Sequence, residues 1–359
     1  MISLNRLLKA MLQNKASDLH LTTGCSPSFR VNGRLVRTKL DSLKPLDVKE
    51  LCYSILTEKQ KAKLENERQI DLSFGIKDLA RFRANIFFQR GAIAGAFRHI
   101  PFDIPKLSTL GLPEVIRELS HKPKGLVLIT GATGSGKTTT LSSMIDYLND
   151  QENLHILTIE DPIEYIHSHR RCVINQRELG SDALTFGGAL KASLREDPDI
   201  VLVGEMRDQE TIETALTLAE TGHLVFSTLH TSGAYQTITR IVQSFPPDQQ
   251  DHIRIQLSLT LEGVVSQNLI PKKDMKGRVA AVEIMIPNTS IRSLIRENKL
   301  HQVPSAMLIG QEQTGMITMN QSLATLVYRD LISQGEAISN SADPTELLKM
   351  LKDIDRKAS

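Results

Sequence analysis

Short apolar runs alternate with helical segments through the middle of the chain. The apolar runs are Leu126–Thr130, Ile156–Ile159, Ile200–Val203 and Leu224–Ser227. Apolar strands of this length separated by helices are typical of a parallel sheet that is covered on both faces. Beyond residue 288 the pattern becomes almost wholly helical. We therefore predict an α/β domain over residues 114–359 that ends in a helical region.

The first hundred residues follow a different pattern. Charges alternate with leucines over Met1–Lys15, which predicts an amphipathic helix, and Asn32-Gly33 lies between two apolar segments, which predicts a hairpin. Further predicted elements are helices at Pro45–Leu56 and Glu58–Asn66 and strands at Ile70–Ile76, Ala80–Gln89 and Ala92–Arg98. Residues 1–99 are thus expected to form a small α+β domain.

Three prolines separate the two regions. They lie at Pro101, Pro105 and Pro113, and they suppress regular structure while stiffening the chain. We interpret residues 100–113 as an interdomain linker.

Composition excludes several classes of partner. The net charge is +2 and the aromatic content is 4%, so we expect neither a nucleic-acid partner nor a stacking platform for single strands. No apolar stretch approaches the roughly 18 residues that a membrane span needs. The three cysteines, Cys25, Cys52 and Cys172, are scattered, which favours a reduced, cytoplasmic protein without a zinc site.

A glycine-rich loop follows the first predicted strand of the α/β domain. Residues 131–140 read Gly-Ala-Thr-Gly-Ser-Gly-Lys-Thr-Thr-Thr, which is the pattern G-x-x-x-x-G-K-S/T, and a predicted helix over Thr138–Asn149 follows. Such glycines let the backbone turn its N–H groups toward phosphate, and the helix start adds further N–H donors. We expect the loop to bind ATP through Gly131, Ala132, Thr133, Gly134, Ser135, Gly136, Lys137, Thr138 and Thr139.

Two loop side chains have distinct expected roles. Lys137 is placed to reach the β- and γ-phosphates as a compact charge, and the hydroxyl of Thr138 is suited to ligate Mg²⁺. ATP and Mg²⁺ are therefore the expected substrate and cofactor.

An acid follows the strand Ile200–Val203, at the edge where open α/β sheets bind ligands. In many P-loop enzymes an aspartate precedes this glutamate and helps to hold the metal, but here that position is Gly204. We predict that Glu205 orients the attacking water. The alternative is that Glu205 merely begins a loop, and the nearby Arg207 argues against it.

Acids also follow the strand Ile156–Ile159. Glu160, Asp161 and Glu164 lie within five residues and are suited to contact magnesium through bound water. A solvated acidic loop is the alternative.

Two histidines flank the strand Leu224–Ser227. His230, at its far end, is placed to hydrogen-bond a γ-phosphate or the attacking water, and so to report the nucleotide state. His223, at the near end, is expected to orient its loop.

Arginines are concentrated in the first domain. The segment from Arg81 to Arg98 has four arginines and no acid, and on a strand Arg81 and Arg83 share one face while Phe82 packs on the other. Unopposed arginines are candidates for arginine fingers that reach a neighbouring subunit's γ-phosphate, and Arg240 is a further candidate. Solvated strand and helix faces are an equally good interpretation.

Several segments resemble the signatures of the type II/IV secretion ATPases. Residues Glu160–Tyr165 resemble the Asp box, Val203–Asp208 the Walker B segment, and Thr221–Thr231 the His box. Ser17–Thr22 and Ser290–Glu297 are similar to segments of the pilus-retraction branch of that family.

The resemblance implies a PAS-like N-terminal domain, a RecA-like P-loop ATPase domain and a hexameric ring, with arginines supplied by the adjacent subunit. It implies that Glu205 is the catalytic glutamate, that Glu164 with Glu160 serves magnesium, and that His223 and His230 are the His-box residues.

The same resemblance implies a mechanochemical ATPase that powers type IV pilus retraction. Its partner would be a platform protein at the cytoplasmic face of the inner membrane, and its own membrane association would be peripheral. The family motif A-I-R-N-L-I-R-E reads here Ser290-Ile-Arg-Ser-Leu-Ile-Arg-Glu297. These two departures leave open an accessory retraction paralogue or the motor of a different secretion system. Glu205 disfavours a nucleotide-sensing scaffold without turnover.

Overall fold

The protein's structure is a computed structural model that describes residues 3–31, 33–76, 79–100 and 103–358, with side chains described as far as residue 353. The chain contacts divide it into two compact units, residues 1–103 with 164–166, and residues 104–163 with 167–359. The domain limits expected above, with a linker over 100–113, stay a prediction. Pro101 and Phe102 of that segment lie outside the described residues.

The first unit is an antiparallel sheet with helices. Its helices are α1 (Leu4–Gln13), α2 (Pro45–Tyr53) and α3 (Glu58–Glu67), and its strands are β1 (Asp18–Leu21), β2 (Ser28–Val31), β3 (Arg34–Arg37), β4 (Gln69–Ile76), β5 (Ala80–Gln89) and β6 (Ala92–Ile100). Among the described residues the strands pair in the order β3-β2-β1-β6-β5-β4. The expected hairpin forms between β2 and β3, although Asn32 of its turn lies outside the described residues, as do Met1 and Ile2 of the predicted first helix.

Strand β5 alternates as its sequence predicts. Phe82, Ala84 and Ile86 are fully buried in the core of this unit, and the two arginines Arg81 and Arg83 lie half-buried on the opposite face. Apolar burial on one face is therefore what sets the register of this strand.

The expectation that the arginines of this segment are unopposed is wrong. Arg83 Nη2 lies 3.8 Å from Asp71 Oδ1 on the neighbouring strand β4. Arg98 Nε lies 2.8 Å from Asp18 Oδ1 on β1. Because strand pairing supplies these acids from outside the segment Arg81–Arg98, the acid-free run alone could not show them.

The second unit is a mixed α/β sheet domain. Its strands are β7 (Gly125–Thr130), β8 (His155–Glu160), β9 (Val173–Glu178), β10 (Ile200–Val203), β11 (Leu224–Leu229), β12 (Leu261–Pro271) and β13 (Arg278–Met285). Among the described residues they pair in the order β13-β12-β7-β11-β10-β8-β9. The strands from β12 to β9 are parallel, and β13 is an antiparallel edge.

Helices surround this sheet and dominate the C-terminal region. They are α4 (Val115–Ser120), α5 (Lys137–Gln151), α6 (Phe186–Ser193), α7 (Gln209–Glu220), α8 (Ala234–Gln243), α9 (Gln250–Thr260), α10 (Thr289–Arg296), α11 (Val303–Ala306), α12 (Gln311–Thr314), α13 (Met319–Tyr328), α14 (Gln334–Ser339) and α15 (Pro344–Ala358), with 3-10 turns at Leu107–Thr109 and Leu300–Gln302. The predicted helical region beyond residue 288 is confirmed. No helix in the described ranges is both long and apolar enough to cross a membrane.

Both faces of the second sheet are buried. On β7, Leu126 and Leu128 belong to one apolar core, whereas Val127 and Ile129 belong to another on the opposite face. Burial on both sides explains why these strands read as continuous apolar runs. The predicted parallel, doubly covered sheet is confirmed, but β9, β12 and β13 were not predicted.

Candidate functional site

The carboxyl ends of four neighbouring parallel strands form the candidate site. In the sheet, β7 lies beside β11, β11 beside β10, and β10 beside β8. These strands lead into the glycine loop, His230, Glu205 and Glu160 respectively. Segments spread over a hundred residues of sequence therefore meet at one edge of the sheet, where such sheets bind ligands.

The loop backbone requires its glycines. Gly131, Gly134 and Gly136 all have positive φ, at 141°, 80° and 92°. A Cβ on Gly131 would lie 2.3 Å from the carbonyl oxygen of Gln267, and a Cβ on Gly136 would lie 2.7 Å from Gln267 Nε2. Both a left-handed backbone and close packing against β12 thus exclude larger residues at these two positions.

Lys137 is buried inside the curve of this loop. Its Nζ donates hydrogen bonds to the carbonyl oxygens of Gly131 at 2.8 Å and Ala132 at 3.1 Å. Helix α5 begins at the same residue, so its first N–H groups open toward the loop. The ammonium and the helix start together concentrate positive potential where phosphate oxygens would lie.

One polar atom of the loop supports the fit of a phosphate ligand. The Ser135 hydroxyl is buried, and its Oγ has no hydrogen-bond partner among the described residues. Buried polar groups are nearly always paired, so an oxygen-rich ligand would satisfy this one. Thr138 and Thr139 lie half-buried at the first turn of α5.

Glu205 is held at both carboxylate oxygens. Arg207 Nη2 lies 2.8 Å from Glu205 Oε2, and His230 Nε2 lies 3.2 Å from Oε1. Burial opposes ionisation of this side chain, which is 20% exposed. The hydrogen bond and charge of Arg207, with the charges of His230 and Lys137, outweigh burial and hold the pKa of Glu205 below its ordinary value. The carboxylate is therefore ionised and oriented at neutral pH.

Packing against β8 explains the glycine that precedes Glu205. A Cβ on Gly204 would lie 3.2 Å from both the Glu160 Cα and the Ile159 carbonyl oxygen. The Gly204 N–H donates to that carbonyl at 2.8 Å, and Thr228 Oγ1 donates to the Gly204 carbonyl at 2.6 Å. The backbone at Gly204 is thus pinned between β8 and β11, with little space for an aspartate side chain.

The acids expected to serve magnesium have different environments. Glu160 is buried, and its Oε1 accepts hydrogen bonds from Thr158 Oγ1 at 2.7 Å and Gln176 Nε2 at 3.1 Å. Glu164 is exposed and belongs by its contacts to the first unit. Within the described residues, no three His, Cys, Asp or Glu side chains gather to hold a metal by themselves. The metal roles of Thr138, Glu160 and Glu164 stay a prediction.

The remaining predicted residues lie in three places. His223 precedes β11 at the opposite edge of the sheet, where its Nδ1 lies 3.1 Å from the carbonyl oxygen of Leu218 in the last turn of α7. Its expected role in orienting its loop stays a prediction. Arg240 is exposed on α8. Arg81 and Arg83 lie in the first unit. The roles of these arginines in another subunit stay a prediction.

Two residues near this edge, the buried Gln267 and the half-buried Glu283, were missed in the sequence. Gln267 on β12 contacts the glycine loop, and Glu283 on β13 accepts a 2.7 Å hydrogen bond from the Ala234 N–H at the start of α8, just after His230. Burial raises the pKa of Glu283 although backbone N–H groups of Ala234 and Met319 oppose the change. The polar stretch Ser266–Asn268, which interrupts the apolar pairs Val264-Val265 and Leu269-Ile270, was the available signal for Gln267.

A family model described as type II/IV secretion system protein matches residues 1–327. The chain belongs to this family. Among curated members of the type II/IV secretion family, the type IV pilus retraction ATPase PilT of Pseudomonas aeruginosa is 48% identical over 96% of this chain and 99% of PilT. A twitching motility protein of Neisseria gonorrhoeae is 45% identical over 92% of this chain and 90% of its own length.

A solved structure of the type II/IV secretion family supports the same assignment. The crystal structure of the pilus retraction motor PilT with bound ADP matches with a TM-score of 0.92 and 51% identity, covering 97% of this chain and all of that one. The family, fold class and ATPase class expected from the sequence are confirmed. The ADP in that relative supports nucleotide use.

Replacing Arg207 with methionine should make Glu205 easier to protonate. Without the guanidinium, burial of the carboxyl is opposed only by His230 and Lys137, so its pKa rises. Because the role predicted for Glu205 requires its ionised form, the acidic limb of the kcat–pH profile should move to higher pH.

The measurement is steady-state ATP hydrolysis against pH, with Arg195→Met as an exposed-arginine control. An acidic limb at the same pH in Arg207→Met and wild type would contradict the assignment of this limb to Glu205.

Proposed function

We propose that this chain is an ATP-hydrolysing motor that powers retraction of a type IV pilus. Its nearly full-length likeness to PilT carries the proposal. The gathering of the glycine loop, Glu205 and His230 at one sheet edge supports the chemistry that such a motor needs.

The loop and Lys137 bind the triphosphate. When ATP binds, the Lys137 ammonium exchanges its two carbonyl contacts for β- and γ-phosphate oxygens. The charge of the buried ammonium is then compensated by the phosphates. The Thr138 hydroxyl, with Glu160 through water, would hold Mg²⁺, which supplies neutralising charge at the phosphates when bound. A magnesium role for Glu164 stays a prediction.

Glu205 orients the water that attacks the γ-phosphate. Arg207 and His230 each hold one of its oxygens, so the carboxylate keeps one direction without losing further rotational freedom during the reaction. His230 thereby links the end of β11 to the reacting centre. Loss of the γ-phosphate changes the charge that Glu205 and His230 face. Helix α8 begins four residues beyond His230, so it is placed to respond to that change.

The motor works as a homohexamer on a pilus platform protein at the cytoplasmic face of the inner membrane. Arg81, Arg83 and Arg240 are our candidates for charges supplied to a neighbouring subunit's nucleotide, and Arg240 is exposed on α8 as that role requires. Nucleotide-driven movement in one subunit would then depend on its neighbour.

The helix that carries the retraction motif is packed through residues that match the family motif. On α10, Ile291 and Ile295 are fully buried. Arg292 donates to the Ser258 carbonyl of α9 at 2.7 Å and lies 2.9 Å from Glu262 of β12, so it contacts the end of α9 and the start of β12. The departures Ser290 and Ser293 lie outside these packing contacts, since Ser290 is exposed and Ser293 half-buried.

Glu205→Gln should lower kcat for ATP hydrolysis by about two to three orders of magnitude. The amide keeps the size of the side chain but is a poor acceptor for the proton of the attacking water. Affinity for ATP should stay within about threefold of wild type, because Glu205 acts on the water and not on the bound phosphates.

Phosphate release and binding of a fluorescent ATP analogue measure the two effects. Glu213→Gln, an exposed acid on α7, is the matched control, and Lys137→Ala is the blank. Hydrolysis by Glu205→Gln at the wild-type rate would rule out this role.

Deleting the gene should leave cells with surface pili, in excess, that do not retract. The physical reason is that pilin then enters the fibre without being withdrawn. Electron microscopy of pili and a twitching assay measure the outcome, with complementation by wild type and by Lys137→Ala as controls.

Bald cells would indicate an assembly motor and overturn the proposal. Pili that still retract in the deletion strain would favour the accessory paralogue, and a defect in another secretion process would favour a different motor.

A further inference from the structure

We propose that Gln267 is a positioning residue that sets the direction of the phosphate-binding loop through its side-chain amide. The inference deepens the proposed function, because it rests on ATP binding by residues 131–139. Gln267 lies on β12, more than a hundred residues from the loop in sequence, and is outside every motif recognised above.

Gln267 is buried between the loop and the first turn of α5. Only 3% of the residue is exposed. Its Nε2 donates a 2.8 Å hydrogen bond to the Ser135 carbonyl, and its Oε1 accepts a 2.9 Å hydrogen bond from Thr140 Oγ1. One amide group thus connects the loop to the helix that follows it, with both of its ends bonded in a buried setting.

The orientation of this amide is fixed by chemistry. The Ser135 carbonyl can only accept a hydrogen bond, so the NH₂ end of Gln267 must face it. The Thr140 hydroxyl can donate, and it therefore meets the oxygen end. A glutamate in place of Gln267 would put two acceptors against each other, and a methionine would leave the Ser135 carbonyl without its donor.

The contact with Ser135 determines where the next N–H group points. In a trans peptide the C=O and the following N–H point in opposite directions, and the bond from Ser135 to Gly136 is trans. A carbonyl held toward Gln267 therefore directs the Gly136 N–H away from β12. In a loop of this kind those N–H groups are the phosphate ligands.

Two glycines of the loop allow this close contact with Gln267. The places where a Cβ would stand on Gly131 and Gly136 are occupied by the Gln267 carbonyl oxygen and Nε2. The loop backbone is thus packed directly against Gln267. A change at Gln267 acts first on the backbone that binds phosphate, before it affects the acid that orients water.

Gln267→Met and Gln267→Glu test the inference in the full-length protein. Met keeps the volume without the hydrogen bonds, and Glu keeps the shape with an acceptor in place of the donor. We expect the Kd for a fluorescent ATP analogue and the KM for ATP to rise about tenfold with Met and further with Glu. The kcat should fall by no more than about threefold, since Glu205 and its partners are untouched.

Asn268→Asp is the matched control for Gln267→Glu. Asn268 is the next residue on β12, its side chain points to the opposite face of the strand, and the same chemical change there should leave Kd and KM at wild-type values. Thermal unfolding without nucleotide checks that each variant folds.

A second pair of variants keeps the test decisive if Gln267→Met unfolds. Thr140→Val removes the hydroxyl that fixes the amide, and Thr140→Ser keeps it. We expect weaker ATP binding with Val and recovery with Ser.

Wild-type Kd and KM for a folded Gln267→Met would overturn the inference, as would equal Kd values for Thr140→Val and Thr140→Ser. A larger fall in kcat than rise in KM would overturn it as well. The proposed function is tested separately by the phenotype of the deletion strain. The binding constants can be measured whatever that phenotype is.

Discussion

Parallel pairing of buried strands is the constraint on which the site depends. Because β7, β11, β10 and β8 run in one direction and are hydrogen-bonded side by side, their carboxyl ends coincide. Apolar cores on both faces fix the register, since a slip by one residue would move every buried side chain to the other face. The loop, His230, Glu205 and Glu160 are neighbours for that reason.

At this edge of the sheet, the charges of Lys137 and Glu205 are compensated by neighbouring protein groups rather than by solvent. Lys137 is buried against loop carbonyls, and the half-buried Glu205 lies against the Arg207 guanidinium and His230. Such groups are costly to bury alone and respond strongly to a new charge nearby. Binding or loss of a phosphate therefore changes the electrostatic surroundings of Lys137 and Glu205 directly. A nucleotide-driven motor requires such a response.

Local patterns predicted the parts of the molecule that local forces determine. Strands buried on both faces read as apolar runs, so β7, β8, β10 and β11 were predicted near their observed bounds, and the loop follows from its glycines. Strand β9 was missed because it lies at the sheet edge with exposed residues such as Val173.

Contacts made through strand pairing could not be predicted. Two contacts join residues that share no sequence pattern: the hydrogen bond from Gln267 to the Ser135 carbonyl, and the ion pair of Arg83 with Asp71. The lack of space for a side chain at Gly204 could not be predicted either, because the atoms that fill this space belong to β8. The sequence alone predicted which loops carry the candidate site residues. The contacts that hold those loops in place depend on which strands are neighbours in the sheet.

A structure of the protein with Mg²⁺ and a non-hydrolysable ATP analogue tests the central claim most directly. The account predicts that Lys137 Nζ leaves the carbonyl oxygens of Gly131 and Ala132 for the β- and γ-phosphates, with an ordered water between Glu205 and the γ-phosphate. A bound analogue with Lys137 still on those carbonyls, or with Glu205 turned away from the γ-phosphate, would contradict it.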